Sequence, residues 1–374
     1  MRRSLGFLVL LFPLLVAAAA PKPPSVLGKA WMVGDLSSGQ VMAAQRADER
    51  FEPASLTKLM TAYVVFAAMR ERKLAPEQQV RVSQNAWKAA GSRMFIDPRK
   101  PVSVDELIRG MVVQSGNDAS IALAEAVAGS EPAFAQMMNR EAARLGMKNT
   151  KFMNATGLPD AQHYSTAQDL YLLAAALIRD FPNEYAQYYA QKEFRYNNVA
   201  QPNRNRLLWI DPSVDGMKTG HTEAAGYCLV ASSRRGGRRL LSVLLGSTSE
   251  ATSAQESLKL LNWGYQFFDG VKLYGAGDSV RELEVWKGAA RKVKVGVGRD
   301  LAVTVPRGDA DKLKAELVSQ QPLVAPLSKG QEVGVVRVSY DGKPYGEYPL
   351  VTLEPVAVAG LFRRSWDTLR LWLK

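Results

Sequence analysis

Ser55-Leu56-Thr57-Lys58 sets a hydroxyl and an amine three residues apart. On a helix that spacing puts both side chains on one face, with Cβ atoms roughly 5–6 Å apart. A serine hydroxyl needs a base to become a nucleophile. Lysine is that base only as the neutral amine, which requires desolvation or neighbouring positive charge. The start of a helix adds positive potential that favours a developing oxyanion. A plainer reading stays open, in which Ser55 caps the helix and Lys58 is solvated. Taken alone, the match arises about once by chance in a chain of this length.

Two further tripeptides could complete such a site. Ser115-Gly116-Asn117 interrupts a helical pattern, so a hydroxyl and an amide project from a tight junction between helices. The alternative is a helix break with Asn117 capping the next helix. Ser83-Gln84-Asn85 has the same Ser-x-Asn form, yet it precedes Ala86-Trp87 and reads as a simple N-cap at Ser83. Lys218-Thr219-Gly220 leads into a strand and offers a cation and a hydroxyl suited to a carboxylate. Gly220 would let a substrate approach the backbone. An ordinary strand entry with a solvated lysine is the alternative. Other chemistries lack their residues. Gly-x-Ser-x-Gly and Gly-rich phosphate loops are absent from the sequence. The single Cys228 forbids an internal disulfide and cysteine-rich metal sites, and with only His163 and His221 no all-protein metal centre is expected.

The elements that must position these residues follow from periodicity. Apolar runs flank Ser37-Ser38-Gly39 over Ala30–Ala44, a hairpin pattern. After Pro53 a helical pattern runs from Ser55 to about Arg72 and is apolar around much of its circumference, which predicts a buried helix. Further helices are expected over Val104–Val113, Ala119–Ala128, Pro132–Leu145 and Ala167–Arg179, with residues 146–168 loop-like. The period then changes. Residues from Val214 through Tyr227–Ala231 and Leu240–Leu245 read as strands, and Ser253–Phe268 as a closing helix. This order fits an α+β (α/β) domain whose sheet is assembled from both ends of the segment. After Gly270, alternating valines at 293, 295 and 297 and at 336 and 338 predict a small all-β sandwich. From Val358 to Lys374 the pattern is an amphipathic helix with basic residues opposite Leu361, Phe362, Trp366, Leu369 and Trp372; Leu371 alone falls on the wrong side.

The three motifs occur together and in order, and that conjunction is specific. Ser-x-x-Lys, Ser-x-Asn and Lys-Thr-Gly form the motif set of β-lactamases and penicillin-binding proteins. The longer blocks Pro53–Lys58, Gln114–Ala119, Asn203-Arg204-Asn205, Asp215–Thr222 and Asn262-Trp263-Gly264 extend the likeness. The chain resembles the low-molecular-weight penicillin-binding proteins that are D-alanyl-D-alanine carboxypeptidases, the penicillin-binding protein 5/6 group, over nearly its whole length. The resemblance implies a penicillin-recognising transpeptidase/β-lactamase-like catalytic domain over 25–268, a β-sandwich over 271–357 and an anchoring helix over 358–374. It implies removal of the terminal D-alanine from peptidoglycan pentapeptide stems, with no cofactor, and acylation of the same serine by β-lactams. By position, Ser55 is the nucleophile, Lys58 its base, and Ser115 relays a proton to the leaving group. Asn117 binds the substrate amide, and Lys218 and Thr219 hold the terminal carboxylate. Arg204 counts with the substrate-binding residues. The backbone N–H groups of Ser55 and His221 form the oxyanion hole. The His221 side chain is expected to be structural, through packing or a hydrogen bond to Asp169, and His163 to be a solvated loop residue.

Charge and the termini speak to compartment. With 48 Lys and Arg against 36 Asp and Glu the formal net charge is +12, which asks for an anionic partner. Arg2 and Arg3, an apolar run over Leu5–Val16 and small residues Ala17–Ala20 read as a cleavable signal peptide, 1–20. Export to the periplasmic face of a bacterial inner membrane removes nucleic acid from the partners. The tail is expected to lie on inner-membrane phospholipid as a peripheral anchor, the alternative being a tail that packs on its own β domain or on a partner. Arg234, Arg235, Arg238 and Arg239, clustered on one turn, read as a basic face toward the carboxylate-bearing cell wall. Rival readings are a β-lactamase, a D,D-endopeptidase and a non-enzymatic cell-wall scaffold. No class A type Glu loop between Asn117 and Lys218 favours the first, and intact Ser55, Lys58 and Lys218 oppose the last.

Overall fold

A computed structural model describes residues 21–372. The expected leader, 1–20, lies outside the described residues, as do Leu373 and Lys374. The chain opens with the hairpin β1 (Ala30–Asp35) and β2 (Gln40–Gln45), then a 3-10 turn at Ala54–Thr57 that runs directly into α1 (Lys58–Arg70). A helical block follows: β3 (Gln79–Val80), α2 (Gln84–Trp87), β4 (Val102–Ser103), α3 (Val104–Val113), α4 (Asn117–Ala128), α5 (Glu131–Arg144), α6 (Ala167–Asp180) and α7 (Pro182–Tyr188). The small hairpin β5 (Glu193–Tyr196) and β6 (Val199–Pro202) and the short α8 (Leu207–Ile210) lead to β7 (Val214–Thr222), β8 (Gly226–Arg235), β9 (Arg238–Ser247) and α9 (Glu250–Phe267).

The main sheet has the antiparallel order β2-β1-β9-β8-β7, so its strands come from both ends of this unit. Both faces are covered, and alternate residues divide between them. Met32, Val230, Leu241, Val243 and Leu245 join the large core with α1, α3, α4 and α6. Their neighbours Trp31, Val33, Leu240 and Leu244 pack with Leu260, Leu261 and Trp263 of α9 on the other face. Helix α1 is buried on nearly every side, as its all-round apolar pattern requires. Ser83 caps α2 by accepting from the Ala86 N–H. It takes no part in the site described below.

Helix α9 passes into β10 (Phe268–Tyr274) with no linker. The second unit continues with β11 (Arg281–Trp286), β12 (Lys292–Gly296), β13 (Leu301–Pro306), β14 (Leu313–Ser319), β15 (Leu323–Val324), β16 (Glu332–Tyr340) and β17 (Lys343–Thr352). A six-stranded sheet, β14-β16-β17-β12-β11-β15, and the pair β10-β13 enclose one valine-rich core. The two units are joined through Asp35, which is fully buried at the end of β1. Its carboxylate accepts from Arg238 Nε at 2.5 Å and Thr304 Oγ1 at 2.8 Å, and Arg238 also donates to the Phe268 carbonyl.

That junction revises the charge reading. Arg235, Arg238 and Arg239 pair with Asp211, Asp35 and Asp215. Three of the four turn arginines are therefore structural cations, not an open basic face. The tail helix α10 (Leu361–Trp372) supplies a second refinement. Its polar side faces the β-sandwich. Asp367 accepts from the Lys287 N–H at 2.7 Å, Arg363 donates to the Ala289 carbonyl, and Arg370 lies over the Trp286 ring. Leu371, out of place on a simple projection, lines a groove with Leu283 and Trp286 on this docked side. Leu361, Phe362, Trp366, Leu369 and Trp372 point outward and are exposed.

Candidate active site

The expected single helix from Ser55 begins as a 3-10 turn. In that geometry residues three apart eclipse, which brings the two side chains closer than an α-helix would. Lys58 Nζ lies 3.0 Å from Ser55 Oγ. Lys58 is only 2% exposed, whereas Ser55 keeps partial access to solvent. The amine has two other partners, Asn117 Oδ1 at 2.7 Å and the Thr156 carbonyl at 2.6 Å. Burial, followed by the charges of Lys218 and Arg204, holds Lys58 well below the ordinary lysine range.

For the neutral amine that burial favours, the hydrogen-bond inventory gives the direction of the Ser55 contact. A neutral amine has two N–H donors and one lone pair. The Thr156 carbonyl can only accept. Asn117 also presents its acceptor, because its Nδ2 donates to the Ala90 carbonyl at 2.6 Å. Both N–H groups are thereby used, and the lone pair is left for the Ser55 hydroxyl. The arrangement puts a serine hydroxyl against an amine whose proton burial disfavours.

Each partner is held by its own local device. Asn117 opens α4, but its side chain does not cap the helix; Gly116 occupies the N-cap position with no side-chain bond. Its neighbour Asp118, 1% exposed, accepts from the N–H groups of Met94, Phe95 and Ile96 and so pins the loop beside the cleft. Thr156 belongs to a turn organised by Asn154, whose Oδ1 accepts from the N–H groups of Thr156 and Gly157. Gly157 has φ of +83°, and a Cβ there would lie 1.8 Å from the Ala54 carbonyl oxygen. Only glycine lets this turn close on the segment carrying Ser55.

Ser115 has φ of +65°, and its buried Oγ has no hydrogen-bond partner among the described residues. An unpartnered hydroxyl held in a strained conformation at a cleft is a group kept ready for a ligand. Lys218, also buried, donates to the Thr219 carbonyl, and burial with the Arg204 charge pushes it down to about 7. Strand β7 is an edge of the main sheet and packs against the Ser55 turn. A Cβ at Gly220 would lie 3.2 Å from the Ser55 nitrogen and 3.1 Å from the Pro53 carbonyl oxygen. The backbone that approaches Gly220 is therefore the nucleophile's own, and not only that of a substrate. Arg204 stands exposed at the rim.

The two histidines differ in how they meet expectation. Of its two expected structural contacts His221 makes the packing one: it is exposed, forms no bond to Asp169, and lies against Tyr227 with ring centroids 4.1 Å apart and the planes tilted by 34°. Asp169 instead accepts from the Asn149 N–H and Thr150 Oγ1. His163 is not solvated but 3% exposed. Its Nδ1 accepts from the Met153 N–H, so Nε2 carries the proton and donates to Thr57 Oγ1 at 2.8 Å. It thus ties the 153–163 loop to the turn between Ser55 and Lys58. The sequence reading also assigned no part to Asp118, Asn154 or Thr156. Asn-x-Thr-Gly is a recognisable turn signal, but nothing local says that its carbonyl meets a lysine about a hundred residues away.

A serine with a neutral lysine at the foot of a buried helix, facing an edge strand of an antiparallel sheet, defines the penicillin-recognising serine enzymes. Two family models match the chain. The D-alanyl-D-alanine carboxypeptidase model covers residues 17–249, and the penicillin-binding protein 5 C-terminal domain model covers residues 268–357. The D-alanyl-D-alanine carboxypeptidase DacC of Escherichia coli (strain K12) is 44% identical over 371 residues, spanning 97% of this chain and 92% of that protein. The crystal structure of penicillin binding protein 5 from Haemophilus influenzae matches with a TM-score of 0.85 at 40% identity, covering 90% of this chain and all of that one (100%). Penicillin-binding protein D2 from Listeria monocytogenes, in its ampicillin-bound form, matches with a TM-score of 0.61 at 29% identity, over 66% of this chain and 100% of its own. The chain belongs to the D-alanyl-D-alanine carboxypeptidase family.

The buried His163 gives a prediction for stability. Burial holds the imidazole down to about 4, against 6.5 when unhindered. Between those values the unfolded chain takes up a proton that the folded protein refuses, so stability is lost as pH falls through this window. The loss should approach roughly 3 kcal/mol from this one group. Urea denaturation at pH 7 and at pH 4.5 should show a larger fall for the wild type than for His163→Gln. Equal falls would contradict the assignment.

Proposed function

We propose that the protein is a serine D-Ala-D-Ala carboxypeptidase that removes the terminal D-alanine from peptidoglycan pentapeptide stems through an acyl-enzyme on Ser55. The observation that carries this reading is the Lys58 amine, buried among neutral partners 3.0 Å from Ser55 Oγ. The Ser55 proton passes to Lys58 Nζ as Oγ attacks the carbonyl of the D-Ala–D-Ala bond. The oxyanion is received by the backbone N–H groups of Ser55 and His221. The C–N bond breaks, and D-alanine leaves with the proton that Lys58 took, relayed through the Ser115 hydroxyl, which returns Lys58 to the neutral amine. Water then attacks the ester, Lys58 takes its proton, and as the ester C–O bond breaks that proton passes to Ser55 Oγ and frees the serine. Lys218, Thr219 and Arg204 hold the terminal carboxylate, and that anion favours the charged form of Lys218 once substrate is bound. Asn117 positions Lys58 and lines the cleft, where its remaining amide hydrogen is free to reach the substrate.

A β-lactam presents a strained amide to the same hydroxyl and should acylate it. Mass spectrometry of the purified protein with a pentapeptide and with penicillin reads both steps. Release of D-alanine and a penicilloyl adduct on Ser55 are expected, and Ser55→Ala should abolish both. Labelling that persists in Ser55→Ala would overturn the assignment.

We also propose residues 1–20 as a cleaved export signal, 25–268 as the catalytic domain, 271–357 as the β-sandwich and 358–374 as a peripheral anchor on the periplasmic face of the inner membrane. The outward apolar row of α10, with its arginines at the flank, supports the last of these. Among the described residues no helix is long and apolar enough to cross a membrane. A chain ending at Ala357 should move to the soluble fraction while keeping its penicillin labelling. Retention in the membrane fraction would refute the anchor.

A further inference from the structure

Glu131 stands out as a half-buried carboxylate that the proposed reaction does not use. It opens α5 directly after Ser130 and before Pro132. An acidic residue in a first turn usually serves the helix dipole. Here the N-cap is supplied by Ser130, which accepts from the Ala133 N–H. The Glu131 carboxylate reaches across to the other chain segment, and its Oε1 accepts from the Ala155 N–H at 3.0 Å.

Ala155 is the residue before Thr156, the carbonyl partner of Lys58. The Ala155 carbonyl in turn accepts from Thr61 Oγ1 of α1 at 2.7 Å. The peptide segment at 155–156 is thus held from three sides, by α1 through Thr61, by α5 through Glu131 and by Lys58 itself. Among these contacts Glu131 brings the only negative charge, and none of the amine's direct partners is ionised.

We propose that Glu131 is a positioning residue for the general base: it fixes the Thr156 carbonyl against Lys58, and its charge sets the pH at which the amine becomes free. The inference rests on Lys58 acting as the base toward Ser55. The charged groups facing Lys58 from other elements are Lys218 of β7 and Arg204 after β6, which favour the neutral amine, and Asp118 of α4 and Glu131, which favour the ammonium. His163 faces it from the loop and is held neutral. Glu131 itself is raised by burial and, to a smaller extent, by Glu125 of α4, while the Ala155 N–H acts against the shift.

Two substitutions separate the two contributions. Glu131→Gln keeps an acceptor for the Ala155 N–H and removes the charge. Glu131→Ala removes both. The readout is the rate of penicillin acylation of the full chain as a function of pH, followed by mass. In the wild type the rate rises with pH as Lys58 loses its proton. In Glu131→Gln the midpoint of that rise should move to lower pH with the plateau retained. In Glu131→Ala the midpoint should move the same way, and the plateau should fall by about tenfold or more, the effect of losing a charge-assisted hydrogen bond. Midpoints coinciding in all three proteins would overturn the proposal, since a merely structural carboxylate would alter amounts of folded protein and leave the midpoint in place. A wild type that is not acylated at Ser55 would overturn the base assignment as well, a result distinct from unmoved midpoints.

Discussion

An amine buried without a carboxylate partner is the constraint on which this structure turns. A lysine ammonium taken out of water costs several kcal/mol unless an anion pairs with it. Pairing would keep it charged and useless as a base. Lys58 is instead surrounded by a hydroxyl, an amide oxygen and a peptide carbonyl, all neutral. Burial then removes the proton rather than destabilising the fold. The apolar circumference of α1 follows from this need, because a helix with a polar stripe would let water reach its first turn.

The remaining parts are arranged to hold those three partners. The break at Ser115-Gly116-Asn117 lets one helix end and another begin with an amide aimed at Lys58. The 154–158 turn brings a carbonyl from the opposite side, and Gly157 lets it sit against Ala54. Strand β7 closes the third side, and Gly220 lets it approach the Ser55 turn. Lys218 on that strand is a second buried amine, and its charge helps to lower Lys58. Lys218, at about 7, is the one that meets an anionic substrate. In the proposed reaction one residue type serves as base and as anion receptor, at two positions with different neighbours.

Much of this is legible in the sequence, and the exceptions share a cause. Helix α3 was bounded at Val104 and Val113 by its apolar period, and the hairpin of β8 and β9 by its paired glycines. Ser55, Lys58, Ser115, Asn117 and Lys218 sit in local patterns whose chemistry is carried by residue type and spacing. What escapes is pairing at long range. His163 looks like a loop histidine until its ring is placed under Thr57. Arg235, Arg238 and Arg239 look like a basic surface until Asp211, Asp35 and Asp215 are brought to them from distant segments. Leu371 looks misplaced until the β-sandwich is set beside α10. Asp118 and Glu131 spend their carboxylates on backbone N–H groups, a use that no side-chain pattern encodes.

The account stands or falls on the protonation state of Lys58 in the resting enzyme. Site-resolved NMR of the lysine Cε and Nζ resonances across pH reads it directly, with Lys58→Arg identifying the signal. A Lys58 resonance that titrates well below the ordinary 10.5 is the predicted result. A Lys58 that titrates at its ordinary value would contradict it.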